Sequence, residues 1–198
     1  MTGPADDRRA GSDGDPGSPR GGPALRTDVI DVYIFRAMPT EPATVFEALQ
    51  LRRVGAPLDR TWQPVMGHIE PGETAAETAL RELREEVGLA ASGPELVGLW
   101  ALEQVWPFYL AELDAIVLSP RFAARVDPGW EPTLNEEHDG ARWIRFPLHG
   151  GQPASEFFMW PGQRHALDEL SRIILPESSP GRDALRIPLP GRGGEQGR

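Results

Sequence analysis

Glu82, Glu85 and Glu86 stand at i, i+3 and i+4. On a helix that spacing projects all three carboxylates from one face. Like charges this close repel one another unless a cation lies between them. A hard divalent ion suits that role, because Mg²⁺ takes oxygen ligands: a few carboxylates, waters and substrate phosphates. The competing account is a solvated face laced by i,i+4 ion pairs, Glu77 with Arg81 and Arg81 with Glu85. On the glutamates alone, the solvated face is the commoner case.

Other residue types extend the same chemistry. Arg52 and Arg53 are adjacent at the end of an apolar run, and a guanidinium grips phosphate oxygens in a forked geometry. Arg164 is a second candidate of this kind. Trp62, Trp106, Phe108, Tyr109, Phe157, Phe158 and Trp160 could stack on a flat heterocycle, at roughly 1–3 kcal/mol per ring. Most aromatic side chains belong to cores, so each of these is also a core candidate. His68 could approach a metal or phosphate, or serve only as a hydrogen-bonding group. His149 and His165 carry no evident task.

These residues need elements to hold them. Thr74 with Glu77 forms a capping box. Ala76, Ala79, Leu80, Leu83 and Val87 recur at helical spacing, and Gly88 stops the helix. The helix therefore turns its apolar side to a core and its acids to a cleft. Strands are expected at Val29–Phe35, with Val45–Leu51 as hairpin partner, and at Leu96–Val105, Leu110–Leu118 and Ala141–Phe146. Trp62–Ile69 is a short segment that leads into a Pro71-Gly72 turn. Pro161 opens a final helix to about Ile174, with Ala166, Leu167, Leu170, Ile173 and Ile174 buried. The order predicts an α/β (α+β) fold, a mixed sheet sandwiched between helices.

One longer pattern changes the weight of the glutamates. Gly67, five residues, Glu73, seven residues, then Arg81-Glu82-Leu83-Arg84-Glu85-Glu86-Val87-Gly88-Leu89 matches G-x5-E-x7-R-E-U-x-E-E-x-G-U, where U is apolar, at every defined position. Average residue frequencies put a chance match on the order of one in ten million chains. The chain resembles the Nudix hydrolase family, in the box itself and in the arrangement of strands from about Thr27 to Ile174.

That resemblance implies hydrolysis of a nucleoside diphosphate linked to another moiety, with Mg²⁺ or Mn²⁺. It implies that Glu82, Glu85 and Glu86 hold the metal, joined by the backbone carbonyl of Gly67. Glu73 and Arg81 would brace loop against helix. Within the family, Leu51-Arg52-Arg53, Trp62-Gln63, Glu136-Glu137-His138 with Trp143, and Trp160-Pro161-Gly162-Gln163-Arg164 resemble dihydroneopterin triphosphate and dATP pyrophosphohydrolases. By that likeness Glu137 joins the metal site, with Glu136 as the fallback, His138 orders their loop, and Trp62 is the favoured stacking group. The implied activity is a pyrophosphohydrolase of a nucleoside or pterin triphosphate. Dinucleoside polyphosphates, ADP-ribose and NADH remain alternatives, as does a non-catalytic module that senses a nucleotide. A homodimer is a further family expectation.

Composition narrows the field further. The chain has 198 residues and a formal charge of −10, which argues against a nucleic-acid polymer or an anionic membrane as partner. Every one of the 20 basic residues is Arg, so no lysine nucleophile exists. The absence of Cys excludes disulfides, zinc thiolates and cysteine catalysis. With no signal-like apolar core and no long apolar run, the expected location is cytoplasmic. The 22 Gly and 21 Pro gather towards the two ends. Residues 1–25 are expected to be a disordered arm, 26–175 the catalytic domain and 176–198 a flexible tail, whose apolar stretch Leu185–Leu189 could dock.

Overall fold

A computed structural model describes residues 21–41, 44–56, 58–146, 158 and 160–191. The elements run β1 Ala24–Arg26, β2 Val29–Pro39, β3 Thr44–Arg53, β4 Trp62–Gln63, β5 Val65–His68, α1 Ala75–Val87, β6 Leu96–Leu102, β7 Phe108–Leu110, β8 Ala115–Val117, β9 Arg121–Val126, β10 His138–Phe146, α2 Pro161–Glu169, α3 Pro180–Ala184 and β11 Arg186–Ile187. The main sheet has the order β10-β3-β2-β9-β6-β11, with β4 on β3 and β5 on β2. β2 pairs antiparallel with β3 and parallel with β9, so the sheet is mixed. A second sheet, β1-β8-β7, stands apart from it.

Alternation along β2 explains the layers. Ile30, Val32 and Ile34 face one side, where Ala79, Leu83 and Val87 of α1 close a core with Leu49, Leu51 and Val65. Tyr33 and Phe35 face the other, against Ala166, Leu167 and Leu170. The expected sandwich of a mixed sheet between helices is the observed one. No helix of the described residues is long and apolar enough to cross a membrane.

Several boundaries differ from the sequence expectation. The single strand expected over Leu110–Leu118 is a hairpin: β7, a 3-10 turn over Ala111–Leu113, and β8. Asp114 takes a positive φ of 45° there, and its side chain accepts a hydrogen bond from the Tyr109 hydroxyl at 2.9 Å. The β6 strand stops at Leu102 rather than Val105, because the Glu169 carboxylate accepts from the backbone N–H groups of Glu103 (2.6 Å) and Gln104 (3.2 Å). The final helix keeps α geometry to Glu169 and continues as a π-helical turn over Leu170–Ile174. β9 has no counterpart among the expected strands. Its Ala123 and Ala124 carry little strand signal, and Arg121 and Arg125 interrupt the alternation.

The ends also differ. Ala24 and Leu25, assigned to the arm, pair in β1 with Ala115 and Ile116. Residues 180–187, assigned to the tail, form α3 and β11, and Arg186 and Ile187 pair with Trp100 and Leu99. The reason is apolar burial: Ile187 and Leu189 pack on one core and Leu185 on the other. Residues 1–20 and 192–198, with Phe157 and His149, lie outside the described residues.

Candidate active site

The loop and helix are locked at both ends. The Thr74 hydroxyl accepts from the Glu77 N–H, while the Glu77 carboxylate accepts from the Thr74 N–H, which completes the capping box. Gly88 ends α1 in the left-handed region, φ 72°, where a glycine carries no steric cost. At Gly67 on β5 the constraint is space: a Cβ there would run into the Glu82 carboxylate.

Arg81 is the hub. Its guanidinium contacts Glu73 at 2.9 Å, Glu82 at 2.7 Å and Glu85 at 3.2 Å. It also donates to the His68 carbonyl at 2.8 Å. The hydrogen bond from Arg81, then that from Thr78, holds the Glu73 carboxyl down at about 2. Five donors in a rigid fork let one side chain tie strand end, loop and helix together.

Glu86 has the opposite environment. It is buried, and burial first, then the charges of Glu82 and Glu137, pushes its carboxyl up to about 9. Burial likewise raises Glu82. Glu86 Oε2 has no hydrogen-bond partner among the described residues, and neither has His138 Nε2, which lies 3.8 Å away. Burial lowers the His138 pKa. The segment bearing His138 is pinned to the helix end by Thr133 N–H to the Val87 carbonyl (3.0 Å) and Asn135 N–H to the Glu86 carbonyl (3.2 Å). Glu137, on the same segment, accepts from Arg53 at 3.3 Å.

A cleft of about 610 Å³ opens over these groups. Arg53, Gly67, Glu82, Glu86 and Glu137 form part of its wall. A second wall comes from α2 and the segment after β6, with Trp106, Trp160 and Gln163, and Asp31 and Arg121 also border it. Asp31 is buried, and burial lifts its carboxyl to about 6 against the pull of Arg121.

The structure thus brings Arg53, Gly67, Glu82, Glu86 and Glu137 together, and sets other expected residues apart. Glu85 turns to Arg81 and to Arg84 (3.0 Å), and Glu73 serves Arg81. Arg52 points to the opposite side of β3, paired with Asp139 at 2.6 Å. Trp62 lies with it, under Arg142 at 4.0 Å from the ring centre. Arg164 donates to the Phe158 carbonyl at 3.3 Å and does not border the cleft. Glu136, the fallback for Glu137, is exposed. The sequence by itself does not place Asp31 and Arg121 at the cleft, and it offers Gln163 only as a member of the run from Trp160 to Arg164. A charge inside the run Val29-Ile-Asp-Val-Tyr-Ile-Phe35 was the available signal for Asp31.

The donor set fits a hard cation chemically. It consists of oxygen ligands, and Glu86 carries a buried oxygen with no partner among the described residues. Among the described residues, no three acidic or imidazole groups stand close enough to enclose one ion as they are. Arg81 instead draws Glu82 and Glu85 to itself.

A family model described as NUDIX domain matches residues 29–169. The bis(5'-nucleosyl)-tetraphosphatase (asymmetrical) of Rattus norvegicus is 36% identical over 121 residues, 61% of this chain and 79% of that protein. Its Mus musculus namesake is 36% identical over 83 residues, 42% of this chain, and the chain spans 54% of that protein's length. The structure of the E. coli dihydroneopterin triphosphate pyrophosphohydrolase superposes with a TM-score of 0.58 at 24% identity, covering 75% of this chain and 97% of that one. That last likeness is one of fold.

Proposed function

The chain belongs to the Nudix family, and on that premise we propose that it is a Mg²⁺-dependent pyrophosphohydrolase of a nucleoside or pterin triphosphate. That it is a hydrolase acting on phosphoanhydrides follows from the family and from relatives named for such activities. The observation that carries the finer reading is the buried Glu86 oxygen, without a partner among the described residues, in a cleft it shares with Glu82, Glu137 and Arg53.

In this reading Glu86 and Glu137, with the Gly67 carbonyl, would hold Mg²⁺, or Mn²⁺ in its place, joined by Glu82 and Glu85 once their carboxylates turn from Arg81. When bound, the ion supplies positive charge against the phosphate oxygens and acidifies water in the cleft. The chain's own groups do the positioning. Arg53 exchanges Glu137 for a phosphate oxygen, which frees that carboxylate. Arg81 keeps α1 and the loop from Gly67 to Glu73 in register, so the glutamates keep their spacing. A water oxygen bonds to phosphorus and loses its proton to solvent, the P–O–P bridge breaks, and the leaving pyrophosphate takes the bridging oxygen with its electron pair.

The likeness to the two tetraphosphatases supports a second reading, a dinucleoside polyphosphate as substrate. One panel separates the two. Nucleoside triphosphates, dihydroneopterin triphosphate, dinucleoside polyphosphates, ADP-ribose and NADH are incubated at alkaline pH with Mg²⁺ or Mn²⁺, with and without inorganic pyrophosphatase. Phosphate from triphosphates only when pyrophosphatase is present supports the first reading. Nucleotide products from dinucleoside polyphosphates alone support the second, and silence across the panel refutes both. A homodimer and a cytoplasmic location belong to the same proposal, the former checked by light scattering.

A further inference from the structure

The two walls of the cleft are held by different means. The acidic wall is braced within itself, through Arg81 and the capping box. The other wall is the first turn of α2, where Trp160, Gly162, Gln163 and His165 border the cleft. That helix begins at Trp160 without a side-chain cap. Its first turn therefore depends on contacts from elsewhere in the fold.

One such contact comes from the centre of the sheet. Arg121 on β9 is 3% exposed, and its Nη1 donates to the Gly162 carbonyl at 2.8 Å, across 41 residues of chain. Its Nε stands 3.5 Å from the Asp31 carboxylate on β2. That carboxylate accepts from the Ser119 hydroxyl at 3.2 Å and from the Tyr33 hydroxyl at 3.4 Å. The guanidinium is thus held from the sheet side and turns a charged donor to the helix, the stronger class of hydrogen bond.

Strand register links this bond to the opposite wall. Asp31 stands opposite Arg121 on β9 and opposite Met66 on β5. Gly67, the next residue of β5, lies against Glu82 of the acidic helix. One residue of β2 therefore joins the strand that meets α1 to the strand that holds α2. The spacing of the two walls runs through Asp31, Arg121 and Gly162.

Gly162 is the tight point. A Cβ there would stand 2.7 Å from Arg121 Nη2 and 3.5 Å from the Trp106 Cβ. The far end of α2 is tied as well, because the Glu169 carboxylate accepts from the Glu103 and Gln104 N–H groups at 2.6 and 3.2 Å. The Trp106 ring, on the segment that follows, stacks on His165 with centres 4.1 Å apart. Helix and segment form one body, and Arg121 fixes its position on the sheet.

We propose that Arg121 is a positioning residue: through Gly162 it sets the width of the cleft, and with it the grip on the substrate, while the acidic wall keeps its own bracing. The proposal rests on the reading of this cleft as the hydrolase site, but the clasp itself can be tested without turnover.

The test combines hydrogen exchange by mass spectrometry with steady-state kinetics on the full chain. Gly162→Ala is the informative variant, because local and tertiary effects have opposite signs. Ala is the better helix former, so a first turn governed by propensity should exchange more slowly. With the clasp wedged open, the amides of α2 should exchange about tenfold faster or more, and those of α1 should be unchanged. On the best substrate of the panel KM should rise about tenfold, with kcat and the Mg²⁺ dependence within about twofold. Arg121→Lys keeps a charge beside Asp31 but loses the fork. It should raise KM to a similar degree, and adding Gly162→Ala to it should change nothing further.

Slower or unchanged exchange of α2 in Gly162→Ala overturns the proposal. So does additivity in the double variant, since the two residues would then act separately. Loss of kcat and Mg²⁺ affinity alongside KM overturns it too, because the acidic wall would then depend on the clasp. Faster exchange with KM unmoved overturns the positioning role and leaves the hydrolase reading intact. No turnover of any panel substrate by the parent chain removes the hydrolase reading, and exchange alone then decides the clasp.

Discussion

His138 Nε2 and Glu86 Oε2 face each other across 3.8 Å, and neither has a hydrogen-bond partner among the described residues. An imidazole and a carboxyl at that separation, both buried, form a polar gap inside the domain. Such a gap costs stability unless something occupies it or the carboxyl keeps its proton.

The first prediction follows from that proton. Burial, reinforced by Glu82 and Glu137, raises Glu86 from 4.5 to about 9 in the fold. The folded state therefore binds the proton more tightly than the unfolded chain does. The stabilisation is complete below about pH 4.5 and is lost as the pH rises towards 9. In EDTA, the Glu86 contribution should lower the melting temperature between pH 5 and 9. Glu86→Gln should flatten that slope and melt about 4–8 °C higher at pH 9, for about 2 kcal/mol recovered from a buried charge. Parallel slopes in calorimetry would contradict the assignment.

Turnover should respond in the opposite sense. Glu86→Gln and Glu85→Gln are each expected to cut kcat by at least about a hundredfold, with the circular dichroism spectrum intact. Near-normal rates in both variants would remove the proposed catalytic roles.

Gly67→Ala tests close packing rather than charge. The added methyl meets the Glu82 carboxylate, so that side chain must swing away from β5. Mg²⁺ affinity by titration calorimetry should fall by about tenfold or more, with a smaller change in melting temperature. Unchanged affinity would show that the Glu82 position is not critical.

The neighbouring arginines should behave unlike each other. Arg53 borders the cleft, and Arg52 is turned away to Asp139. Arg53→Ala should raise KM for a triphosphate about tenfold or more, as expected when a charge-assisted phosphate contact is lost. Arg52→Ala should leave KM within about twofold. Equal effects would place the phosphate contact elsewhere.

The C-terminal segment offers a stability test. Leu185 accepts from the Ala101 N–H at 2.9 Å, and Ile187 and Leu189 cover the core beneath α1. Truncation after residue 179 should lower the melting temperature by several degrees, through lost apolar cover and an opened strand edge. No change would mean that the segment contributes nothing to stability.

The loop and helix from Gly67 to Leu89 were legible because local rules decide them: a capping box, a glycine stop and an apolar stripe. The spacing also made the glutamates legible. The direction of each side chain was not. Arg52 and Arg53 look alike in sequence, and only the period-two alternation of β3, anchored by Leu49 and Leu51 in the core, sends them to opposite faces. β9 stayed hidden for a similar reason. It is held by a parallel pairing with β2 and by β6, contacts that leave little trace in its own six residues. Trp62 carried a family likeness, yet pairing with Arg52 turns it to the other side of the sheet.

The pairing of Asp31 with Arg121 joins strands about ninety residues apart, and the helix that bears the glutamates lies between them in the chain. A growing polypeptide that has emerged only as far as residue 118 already contains every carboxylate of α1, yet lacks β9 and the segment that later carries Glu137 and His138. The order of synthesis therefore makes the acidic helix before the sheet that must support it is complete. The β2–β9 pairing closes a long loop, and the site cannot be complete before residue 138 has been made.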